Sequence, residues 1–130
     1  VEETGIDALF GIGGSPEGVI AACAVKCLGG AIQARLAPLD AVEEAAAAAA
    51  SGRAHGPVLG TDDLVASDNV FFAATGITNG ELLRGVQYHG AGARTFSITM
   101  RSRSGTVRLV ESRHRWDKLM GISRVAYDGR

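Results

Sequence analysis

Gly11-Ile12-Gly13-Gly14-Ser15-Pro16-Glu17-Gly18, followed at once by Val19-Ile20-Ala21-Ala22-Cys23-Ala24-Val25-Lys26-Cys27-Leu28, is the passage from which the rest of the chain can be laid out. Ile6 to Phe10 before it is a short, mostly apolar run bounded like a buried strand, and the Ala, Val and Ile residues after it recur at helical spacing. The passage predicts strand, glycine loop, helix. Proline suits the first helical turn, where its missing donor has no intrahelical partner, so Pro16 marks the start and Gly29-Gly30 the stop. Glu17 then falls in the first turn. Unpaired N–H groups and the positive end of the dipole favour an anion there, and glycines let backbone approach a phosphate. A carboxylate beside that phosphate repels it unless a cation lies between them, which makes Glu17 a candidate ligand for magnesium or manganese. The plainer alternative is a first-turn carboxylate that only complements the dipole.

At 130 residues the chain has the size of one domain and the composition of an ordinary soluble protein. A chain that opens on Val1-Glu2-Glu3-Thr4 and enters a strand soon after reads as a piece of a longer protein. No signal or transmembrane segment is visible, and the run Ala45 to Ala50 is too short to span a bilayer. Cys23 and Cys27, four apart on one helical face, fit neither a zinc site nor a disulfide framework and read as small buried thiols in a reducing compartment. The net charge of −1 hides an asymmetry: residues 1–90 carry −7 and residues 91–130 carry +6. A basic tail can serve nucleic acid, but here the arginines interleave with strand residues and aromatics are few, which favours a solvated sheet face.

Ala31 to Ala37 alternates as a half-buried strand, with Ile32, Ala34 and Leu36 on one side, and Pro38 ends it. Asp40 caps an exposed alanine-rich helix over 41–50. Residues 51–57 are a loop in which His55 has no metal-binding neighbour. Thr61 to Val65 predicts a single turn capped by Thr61; its Asp62 and Asp63, with Asp68 beyond, are dipole partners or, alternatively, a second metal site. Asn69 to Thr75 is a strand with its two phenylalanines on opposite faces, hence central and covered on both sides. Gly76 to Gly80 is a turn, with a brief amphipathic step over Glu81 to Leu83.

From Val86 the pattern becomes an antiparallel meander: Val86 to His89, Arg94 to Ser102 and Thr106 to Arg113, with Phe96, Ile98 and Met100 on the core face. His89 and His114 fall at strand ends as surface histidines, and Trp116 anchors the tail. Arg101-Ser102-Arg103-Ser104-Gly105-Thr106 is either an anion-binding turn or a solvated hairpin tip. No Walker loop, dinucleotide fingerprint, zinc-protease motif or nucleophile elbow is present.

The blocks from Gly11 to Ala22, Ile32-Gln33, Asp63 to Val65, Phe72 to Val86 and Met100 to Arg108, in this order, resemble the C-terminal part of class II fructose-1,6-bisphosphatases over nearly the whole chain. The resemblance implies a bacterial enzyme of the lithium-sensitive sugar-phosphatase superfamily, built as an α/β layered sandwich. Residues 1–130 are then its C-terminal α/β domain, with a mixed sheet ending in the antiparallel meander. It implies removal of the 1-phosphate of fructose 1,6-bisphosphate with Mn2+ or Mg2+ in gluconeogenesis, in the cytoplasm; some similar enzymes also act on sedoheptulose 1,7-bisphosphate. Carried over, Glu17 is a metal ligand and Gly14 a substrate contact. The family's other metal carboxylates and its water-activating residues lie N-terminal to the match, so the implied partners are that segment, the sugar bisphosphate and further copies of the chain, with no nucleic acid or membrane. This chain alone is expected not to catalyse. A non-catalytic sugar-phosphate module or an oligomerisation domain remain the other readings.

Overall fold

Helix α1, Ser15–Cys27, follows an irregular glycine loop in the computed structural model, which describes residues 7–38, 40–51 and 57–123. Pro16 sits in the first turn as expected, and the stop is a glycine cap. Gly29 adopts φ +74°, its N–H reaches the Lys26 carbonyl at 3.2 Å, and the Gly30 N–H reaches the Val25 carbonyl at 3.0 Å. Together these bonds satisfy the last helical carbonyls. Ala22 and Cys27 are buried and Cys23 half-buried, so the two thiols share the inward face as their spacing required.

Two compact units emerge: Val1–Phe71 with Arg101–Thr106, and Phe72–Met100 with Val107–Arg130. In the first, β1 (Gln33–Ala34) pairs antiparallel with β2 (Leu59–Gly60), and α2 (Ala41–Ser51) and α3 (Thr61–Leu64) complete the helices. Asp40 caps α2 as expected, its Oδ1 accepting from the N–H groups of Val42 and Glu43 at 2.9 and 2.8 Å. The hairpin-tip turn Ser102–Ser104 is a 3-10 turn closed by Gly105 at φ +60°. It is stitched down rather than open: Ser102 Oγ accepts from the Val70 N–H at 2.8 Å and donates to the Asp68 carbonyl at 2.7 Å.

In the second unit β5 (Gly92–Arg101) is the central strand, with β3 (Phe71–Thr75), β4 (Gln87–His89) and β6 (Thr106–Arg115) beside it. β4 pairs antiparallel with β5, matching Gln87 to Arg94 and His89 to Gly92. The meander is as read, with Ile98 and Met100 on β5 buried, but Phe96, expected on the same core face, is only half-buried, and the buried Ala93 falls on the other face. Trp116 opens α4 (Trp116–Ile122) and stacks on Tyr88, centroids 6.3 Å apart. The basic strand residues find acids: Arg94 and Arg113 approach Glu111 at 3.7 and 3.5 Å, and Arg115 pairs with Asp117, whose carboxyl the Arg115 hydrogen bonds hold below the usual carboxylate range. Among the described residues no helix is long and apolar enough to cross a membrane.

Several expectations need correction. Asp7 to Phe10 form no strand and are exposed, with no strand pairing to them among the described residues; Ile6 lies outside the described residues. The strand over 31–37 shrinks to two residues, since its partner β2 is only two residues long, and Leu36 is exposed. Gly60, not Thr61, caps α3: Asp63 Oδ2 accepts the Gly60 N–H at 2.8 Å, while the Thr61 hydroxyl accepts the Ile32 N–H at 3.0 Å. β3 is not central, and Phe71 is 70% exposed beneath the Arg101 guanidinium, 4.8 Å from its ring centroid. The amphipathic step over Glu81 to Leu83 is a run of bends in which Glu81 and Leu82 are exposed and Leu83 is half-buried. His114 lies within β6, half-buried, its Nε2 2.9 Å from Thr95 Oγ1. The loop around His55 falls outside the described residues.

Candidate functional site

The first hydrogen bond of α1 runs from the Gly18 N–H to the Gly14 carbonyl at 3.0 Å. The N–H groups of Ser15 and Glu17 precede it, and Pro16 has none to offer. Gly14, the N-cap, is extended at φ −67° and ψ 155°, a conformation open to any residue. What a side chain there would meet is Glu17. A Cβ on Gly14 would run into the Glu17 carboxylate, which folds back over the loop, whereas Gly11, Gly13 and Gly18 have open space around them. The two singled-out residues are therefore in contact, at the exposed positive end of a thirteen-residue helix.

Beside this end lies a cleft of about 340 Å³, bounded by Ile12, Gly13 and Ser15 on one side and by Leu36, Pro38 and Glu43 on the other. Sequence reading did not connect Leu36 to Pro38 or Glu43 with the glycine loop, because that adjacency follows from how the chain returns after α1. Leu9, Phe10 and Ile12, each 92% exposed, continue apolar surface along the approach to the loop.

At the other end of α1, Lys26 Nζ reaches Asp62 Oδ1 at 2.8 Å, the Val65 carbonyl at 2.8 Å and Asp68 Oδ1 at 3.4 Å. Asp62 and Asp68, weighed earlier as a second metal site, are thus partners of an ammonium. The Asp62 hydrogen bond is the main reason that Lys26 holds its proton above the ordinary lysine range. A cation site needs its donors free, and this arrangement fills it with a lysine.

Metal chemistry at Glu17 can be tested against the donors present. Among the described residues no three His, Cys, Asp or Glu side chains gather where they could hold an ion. Glu17 is an exposed carboxylate at a helix start, suited to be one ligand of a hard cation, with the remaining ligands supplied from outside these residues.

Residues 1–114 match the family described as "Bacterial fructose-1,6-bisphosphatase, glpX-encoded". The chain is 43% identical over 132 aligned positions to the fructose-1,6-bisphosphatase class 2 of Haemophilus influenzae, covering 92% of this chain and 40% of that protein. It is also 43% identical over 126 positions to the D-fructose 1,6-bisphosphatase class 2/sedoheptulose 1,7-bisphosphatase of Synechococcus sp. strain JA-2-3B'a(2-13), covering 88% of this chain and 36% of that protein. Strain JA-3-3Ab has a counterpart with the same figures. The chain spans two fifths or less of the length of these curated relatives. With a match that runs through both units, the chain belongs to the bacterial, glpX-encoded fructose-1,6-bisphosphatase family.

Proposed function

We propose that this chain is the C-terminal part of a cytoplasmic phosphatase that uses Mn2+ or Mg2+ to remove the 1-phosphate of fructose 1,6-bisphosphate in gluconeogenesis, and that residues outside it complete the catalytic set. The observation that carries the reading is the contact of Gly14 with the Glu17 carboxylate at the exposed start of α1. Backbone N–H groups there present positive potential to a phosphate, and the absence of a side chain on Gly14 keeps that approach open. Glu17, folded back over the glycine loop, would supply one ligand to the metal. The metal, when bound, supplies charge neutralisation on the phosphoryl oxygens and a polarised water.

The Synechococcus relatives carry both bisphosphatase activities in their names, which favours a second reading in which sedoheptulose 1,7-bisphosphate is also a substrate. A homo-oligomer of the completed protein is part of the proposal.

Phosphate release from fructose 1,6-bisphosphate with manganese, from this chain alone and from the chain joined to the remainder of its protein, tests the reading. Turnover is expected only in the joined form, and Glu17→Ala in that form should remove it by about two orders of magnitude or more while folding is kept, in line with the loss of an essential metal ligand. Unchanged turnover in that variant would sink the site assignment. Binding of the bisphosphate without turnover in the joined form would point instead to a sugar-phosphate-binding module.

A further inference from the structure

The buried residues of α1 all lie in its second half. Ser15 to Glu17 and Val19 to Ala21 are exposed, Ala22 and Cys27 are buried, and the four residues between those two are half-buried. Within the first unit, α1 packs against α3 and the Ser102–Ser104 turn. The end that carries Gly14 and Glu17 faces the cleft beside it, whereas polar bonds from α1 to other segments gather at its far end. Lys26 makes three of them, to Asp62, Asp68 and the Val65 carbonyl, and Cys27 Sγ adds a weak one to the Val70 carbonyl at 3.7 Å.

This geometry points to Lys26 as the positioning residue of the Gly14–Glu17 site, a clamp that sets the direction of α1 and thereby where its loaded end stands. The inference rests on the reading of Gly14 and Glu17 as the site. Its leverage is arithmetic: Glu17 and Lys26 are separated by nine residues, about 14 Å along a helix, so a tilt of about 4° at the clamp moves Glu17 by about 1 Å. Displacements of that size can cost about a hundredfold in rate when they misplace a reacting group. The clamp is also chemically saturated. An ammonium has three donors, and here three acceptors surround it, while its side chain is 13% exposed. The two carboxylates are 88% and 97% exposed, so they hold the lysine without being needed in a core. Lys26 touches neither the loop nor the cleft beside it, so it acts through helix direction alone.

The test uses the complete protein with Lys26→Met, Lys26→Arg and the double change Asp62→Asn with Asp68→Asn, read by three measurements. Hydrogen exchange of the amides of residues 18–21 reports the exposed first half of α1. Titration with Mn2+ alone, followed by the loss of free-ion resonance signal, reports the metal position. Steady-state turnover separates kcat from KM.

Lys26→Met is expected to speed exchange at residues 18–21 and to weaken Mn2+ binding about tenfold. It should lower kcat by ten- to a hundredfold, with KM for the bisphosphate within about threefold. Lys26→Arg, which keeps the charge and reaches the same carboxylates, should recover most of this, and the double asparagine variant should reproduce the defect. Because both carboxylates are exposed, that variant keeps the test alive if Lys26→Met does not fold. A folded Lys26→Met or double asparagine protein with exchange, Mn2+ binding and kcat within twofold of the parent overturns the proposal. So does an equal loss of stability across both units with no split between kcat and KM. If Glu17→Ala leaves turnover intact, the site reading fails instead, and the exchange measurement still reports whether the clamp orients α1.

Discussion

Glycines at the residue scale differ in what their missing Cβ would strike, and this separates function from folding. At Gly14 the obstacle is the end of the Glu17 side chain, which can rotate away. Gly14→Ala should therefore leave unfolding stability within about 0.5 kcal/mol, as for exposed positions in general, yet lower metal-dependent turnover about tenfold by displacing the carboxylate. At Gly85 the obstacles are the backbone of Thr78 and Asn79, and the Gly85 N–H is bound to Asn79 Oδ1 at 2.9 Å, so nothing can swing aside. Gly85→Ala should cost about 1–3 kcal/mol or more. Urea unfolding beside turnover for the two variants checks both; equal behaviour would contradict the distinction. The sequence offered the glycine loop as an anion site, and the family resemblance picked out Gly14 within it. It could not single out Gly85, because the requirement there comes from a loop folded back on itself, with Val86 donating to the Ile77 carbonyl.

At the element scale, signals carried by near neighbours were readable. Pro16, the Gly29-Gly30 stop and the Asp40 cap each act within one helical turn, and each does in the structure what its chemistry requires. Asp40→Ala should destabilise by about 0.5–2 kcal/mol, the usual loss of an N-cap, without altering Mn2+ binding at Glu17. A melt and a metal titration on the same preparation check this, and a parallel loss of Mn2+ affinity would tie α2 to the site more closely than the cleft geometry requires. Strands were less readable. The alternation over 31–37 is real for Ile32 to Arg35, but a strand is only as long as its partner, and β2 is two residues long. Likewise the apolar run Asn69 to Thr75 resembles a central strand, while the ten-residue β5 takes that place and leaves Phe71 under Arg101.

For the whole molecule, the contrast is between a small core and much exposed apolar surface. The buried apolar residues among those described are Ala22, Cys27, Val65, Ala93, Ile98 and Met100, none of them aromatic. Leu9, Phe10 and Ile12 stand exposed around the loop, and Leu109 is exposed on β6. Apolar area left in water contributes nothing to stability, at about 25 cal/mol per Å² forgone. The isolated chain is thus expected to melt with low cooperativity and to bind a hydrophobic dye. The joined protein should bind less dye and melt sharply, and a sharp, dye-free melt of the chain alone would contradict the expectation.

The sequence by itself determined the α1 punctuation, the candidate pair Gly14 and Glu17, the meander and the family, because these rest on local chemistry and on ordered motifs. Only the tertiary structure decided that Asp62 and Asp68 hold a lysine rather than a metal, that Leu36, Pro38 and Glu43 border the glycine loop, and that β5 is the central strand. Those facts depend on contacts between residues far apart in the chain, and a carboxylate's partner or a strand's neighbour is chosen by proximity in space, which composition and periodicity do not encode.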